Sequence, residues 1–81
     1  MKVWSLVTTY GDNVDRMEVY GDIHKVRAEF LKFIKECDLD PLCIREAKES
    51  GDFSMDDEVM YFRNHYDRHE PEIRVVAVEV K

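Results

Sequence analysis

Between Asp22 and Cys37 the apolar residues Ile23, Val26, Phe30, Leu31, Ile34 and Cys37 recur in steps of three, four, one, three and three. That spacing lays them along one side of a helix, with His24, Lys25, Arg27, Glu29, Lys32, Lys35 and Glu36 on the others. Asp22 stands where an N-cap would accept the free N–H groups of the first turn, and Pro41 bars the helix from running far past Asp38. A stripe of this width requires an apolar surface to lie on.

The two ends of the chain can supply it. Residues 2 to 10 (KVWSLVTTY) alternate as a strand does, with Val3, Ser5, Val7 and Thr9 on one side and Trp4, Leu6, Thr8 and Tyr10 on the other. Apolar groups on both sides suit a central strand. Gly11-Asp12-Asn13 reads as a turn, and the segment from Met17 through Val19 to Tyr20 as a second strand, paired antiparallel with the first. The valines between Ile73 and Val80 mark another strand.

Asp40-Pro41 is a second helix start, with Asp as N-cap and Pro at the first helical position, and Gly51 is its stop. Leu42, Ile44 and Ala47 are its only core candidates, which predicts a short, weakly packed helix. Gly51 to Glu58 (GDFSMDDE) reads as an exposed acidic loop. Residues 54 to 66 admit two readings. As a helix, Ser54 would cap, Asp57 would complete a capping box, and Met55, Val59, Phe62 and Tyr66 would form a stripe. As a strand, the aromatics Tyr61, Phe62 and Tyr66 favour a pleated surface, and residues 67 to 72 turn the chain back into the last strand. The strand is the preferred reading. The expected fold is thus one α+β domain over residues 1 to 81: a four-stranded antiparallel sheet in ββα(α)ββ order, with the main helix across one face.

Composition narrows the functional classes. The net charge of −6 is concentrated: residues 36 to 58 hold nine acids against Arg45 and Lys48, a net −7, which leaves +1 for the rest. Phosphate backbones would be repelled, so direct nucleic-acid binding is not expected, whereas a basic protein partner would be attracted. No apolar run approaches the roughly 20 residues of a membrane span and the N-terminus lacks a signal-peptide pattern, which predicts a cytoplasmic protein. Cys37 and Cys43 then stay reduced, and two cysteines make no disulfide framework.

No motif assigns an activity. Gly11, Gly21 and Gly51 are too far apart for a phosphate-binding loop, and no nucleophile elbow is present. Cys37 lies on the apolar stripe, and Cys43 lacks the low-pKa setting that a reactive thiolate needs. His65, Asp67, His69 and Glu70 are the only cluster with metal-ligand chemistry, but no third imidazole or thiolate completes a set. No catalytic residue, cofactor or metal is therefore expected.

The favoured function is a non-enzymatic module that inhibits or regulates a basic, nucleic-acid-handling protein. Asp52, Asp56, Asp57 and Glu58 would be its partner-binding residues. In size and acidity the chain is similar to the small accessory proteins of phages and plasmids. Two other readings stand beside it. One is a homodimeric structural protein, joined through a sheet face on which Trp4, Tyr10, Tyr20 and Tyr61 could lie, unless Trp4 packs beneath the helix. The other is a metal-binding protein using His65, Asp67 and His69.

Overall fold

The computed structural model describes residues 1–81. Strands β1 (Lys2–Tyr10) and β2 (Asn13–Tyr20) are followed by helices α1 (Ile23–Glu36) and α2 (Pro41–Ser50), then by β3 (Phe53–Met55), β4 (Val59–Arg63) and β5 (Glu72–Glu79). All five strands join one antiparallel sheet in the order β2-β1-β5-β4-β3. The fold is α+β, with one strand more than the expected four.

Local chemistry sets the helix ends. The Asp22 carboxylate accepts the N–H of His24 at 2.8 Å, and Lys35 lies in the last turn, where a cation opposes the helix dipole. Asp40 accepts the N–H of Cys43 at 3.0 Å, with Pro41 entering α2. Gly51 closes α2 at φ 87°, a left-handed conformation that a side chain would strain.

The core lies between α1 and the sheet. Val26, Phe30 and Ile34 of α1 meet Leu6, Ile73, Val75, Met60 and Phe62, with Ala47 of α2 at the margin. Leu31 does not belong to this stripe: it is 43% exposed, while Phe33 packs edge-on against Phe62 with ring centroids 6.4 Å apart. At about 100° of turn per residue, Phe33 falls about 60° from the centre of the stripe and Leu31 about 100°. Leu42 is likewise exposed, which leaves Ile44 and Ala47 to seat α2.

The fifth strand comes from the segment expected to be an acidic loop. Phe53 drops its ring edge-on against Phe30 and Phe62, at 6.1 and 5.6 Å, and Phe53, Ser54 and Met55 pair with Phe62, Tyr61 and Met60. The helical alternative for residues 54 to 66 is therefore excluded, because Ser54 is strand rather than cap. β2 also begins earlier than its apolar residues indicate. A bulge between Thr8 and Thr9 leaves Asp15 without a partner on β1, which hides the alternation of Val14, Met17 and Val19.

Candidate interaction surface

α1 covers only one face of the sheet. Strand residues alternate in direction, so the register fixes what remains on the other. One row there is Val3 and Val78; the next is Val19, Ser5, Val76 and Val59; a third is Met17, Val7, Arg74, Tyr61 and Ser54. A fourth, more polar row holds Val14, Thr9, Glu72 and Arg63. Met17, Val19 and Val14 are 72%, 69% and 60% exposed, and Val59, Val76 and Val78 are exposed as well. No helix lies over them.

The surface is aliphatic rather than aromatic. Trp4 packs beside the core on the helix side and donates its indole N–H to the Asp57 carbonyl at 3.0 Å. Tyr20 also packs on that side, and Tyr10 stacks on His69 at 4.6 Å. Of the four aromatics that could have lined the open face, Tyr61 alone does so. The Arg74 guanidinium lies 5.3 Å from the Tyr61 ring centre and pairs with Glu72 at 3.2 Å. Burial, and then the neighbouring Glu72, push the Tyr61 hydroxyl above its ordinary pKa. Beside them Val7, Thr9, Glu72 and Arg74 line a hollow of about 230 Å³.

The four acids expected to meet a partner are each engaged within the fold. Asp52, largely shielded, pairs with Arg63 at 3.2 Å and with His65 Nδ1 at 3.1 Å. Asp57 pairs with Arg27 at 2.7 Å, and Glu58 with Lys2. Asp56 accepts the N–H groups of Glu58 and Val59 at 2.8 Å each and so shapes the β3–β4 turn. Asp56, Asp57 and Glu58 share that turn; Asp52 sits apart, at the end of α2. Cations from outside the segment pair with three of its nine acids.

The Val59 and Glu58 N–H groups hold the Asp56 carboxyl below its ordinary value of 3.8. A depressed carboxyl adds stability above that value and loses it as the pH falls through the lowered one. Asp56→Ala is therefore expected to lower the urea midpoint at neutral pH, and the gap from wild type should close as the pH drops below 3.8. A gap that stays constant into acid would mean that the carboxylate's hydrogen bonds are not what the substitution removes.

The remaining candidates are drawn apart. His65 tilts over Tyr66 at 4.2 Å while facing Asp52, and His69 stacks on Tyr10. Asp67 turns its carboxylate onto the N–H of His69. No three His, Cys, Asp or Glu side chains converge where an ion could be held. Desolvation is the main cause that raises both thiols, Cys37 and Cys43, away from the thiolate that a nucleophile requires.

No protein-family model, curated protein or solved structure matches the chain. None of its helices is long and apolar enough to cross a membrane.

The residues expected to bind a partner, Asp52, Asp56, Asp57 and Glu58, are charged, whereas the surface left uncovered is apolar; the sheet face weighed for a homodimer is open, but of its four expected aromatics only Tyr61 lies on it. Strand parity in the sequence already groups Val3 with Val7 and Val76 with Val78. The missing information is which side α1 takes.

Proposed function

We propose that the protein is a non-enzymatic interaction module whose contact surface is the uncovered face of its sheet. The observation that carries this reading is the aliphatic area formed by Val3, Val7, Met17, Val19, Val59, Val76 and Val78, interrupted only by the small Ser5 and bordered by Arg74 and Tyr61. Contiguous apolar areas of this kind on small proteins are characteristic of association sites. The acidic turn supports a partner less directly. A basic protein reaching Asp52, Asp57 or Glu58 would compete with Arg63, Arg27 and Lys2 for carboxylates already paired.

A photo-crosslinking side chain at position 76 tests the reading. Irradiation in cells of the source is expected to give a discrete protein adduct from position 76 and none from position 42, which is more open but lies on α2. An interaction module working through the acidic turn would instead give adducts from position 58 and none from 76.

A further inference from the structure

We infer that the occupant of the open sheet face is a second copy of this chain, packed face to face as a symmetric two-sheet sandwich. This rests on the reading of that face as the contact surface and names its partner.

Charge is the first argument. The chain carries −6, so two copies repel over most approaches. Among the residues paired on the open face only Arg63, Arg74 and Glu72 are charged, a net +1. Each copy brings there only one acid, Glu72, which is paired with Arg74, while a strongly basic partner finds no anionic patch. Two of these three, Arg74 and Glu72, also suit a twofold axis, Arg63 being already paired with Asp52. In an isologous contact each surface meets itself, so every charge must find its opposite within one patch. Arg74 and Glu72 stand two positions apart on β5, on the same side, and can exchange partners reciprocally between copies.

Area is the second. The five strands are 9, 8, 3, 5 and 8 residues long; spaced at about 4.8 Å and rising about 3.3 Å per residue, they make a face of roughly 520 Å² in projection. Stable complexes bury about 800 Å² of accessible surface per partner, and side-chain relief makes accessible area larger than its projection. The face thus has the extent a dimer needs. Its valines provide the ridged, flat relief with which two sheets interdigitate at about 10 Å separation.

The sheet edge is the competing route, and the structure disfavours it. β2 is the long free edge, but the bulge at Asp15 breaks its ladder, and Asp15, Arg16 and Glu18 place charges along it. Arg16 and Glu18 are moreover engaged with each other and with Tyr20 and Glu29.

Analytical ultracentrifugation across a concentration series, with far-UV circular dichroism as the fold control, tests the proposal. Wild type is expected to sediment as a dimer that holds or tightens as salt is raised, since salt screens the mutual repulsion. Val76→Lys should raise the dissociation constant at least about 100-fold, because the twofold axis places the new charge against apolar side chains twice. Should a lysine in the middle of β5 unfold the chain, Val59→Lys on β4 carries the same expectation. A dimer unaffected by either folded variant, or one that loosens with salt, would overturn face-to-face packing. A wild-type monomer would overturn self-association. In that case an apolar dye bound by wild type and not by Val76→Lys would leave the contact surface standing with another occupant. No dye binding would remove the surface as well.

Discussion

Phe30→Ala is expected to destabilise the protein by about 3–5 kcal/mol, enough to unfold much of it at 37 °C. Phe30 is fully buried at the middle of α1 and packs on the sheet, edge-on to Phe53 of β3. Removing the ring forfeits its burial and leaves a cavity that a helix anchored at both ends cannot close. A domain of this length has a total stability of only about 4–12 kcal/mol, so a loss of that size is most of the reserve. Leu31→Ala, one position on, should cost no more than about 0.5 kcal/mol, because that side chain already faces water. Urea unfolding followed by circular dichroism measures both. Equal midpoints for the two variants would mean that α1 is not held by the face assigned to it.

Phe62→Ala should be comparably severe, at about 3–5 kcal/mol, and should differ in kind. Its ring is the hub between α1 and the outer strands, edge-on to both Phe33 and Phe53. Its loss therefore loosens β3, which has only three residues of pairing to hold it. A double-mutant cycle with Phe53→Ala should return a coupling of about 0.5–1.5 kcal/mol, the usual worth of an aromatic pair beyond its burial. Amide exchange at Asp56, whose N–H donates to the Val59 carbonyl at 3.0 Å just beyond β3, should quicken in Phe62→Ala even under conditions where the rest of the sheet stays protected. Strict additivity in the cycle would detach β3 from the aromatic cluster.

Much of this fold was legible because its determinants are local. Asp22 and Asp40 cap helices through hydrogen bonds to residues two and three positions away, and Gly51 ends α2 through its own backbone conformation. The exchange of Leu31 for Phe33 was also within reach of the sequence. Counting spacings admits both, and only the angle about the helix axis separates them. β3 was out of reach on such grounds. Three residues are too few to display alternation, and Phe53 becomes a strand residue because Phe30 and Phe62 are there to receive it.

The acidic turn shows the same division. Nine acids against two bases in one stretch look unbalanced when neighbours in sequence are counted. Folding brings Lys2, Arg27 and Arg63 to Glu58, Asp57 and Asp52, two of these pairs spanning 56 and 30 residues. Charge balance is a property of distance in space.

By itself the sequence determined the two capped helices, and which residues of β1 and of β5 share a side. Those are properties of cap residues and periodicity, and both survive in an unfolded chain. Which side the helix covers was decided by the tertiary structure alone. β1 carries apolar groups on both sides, and α1 settles on the one where Leu6, Val75, Ile73, Met60 and Phe62 combine from three strands. Their bulk and aromatic edges match the α1 stripe more closely than a sheet of valines would, and that choice turns the valines outward.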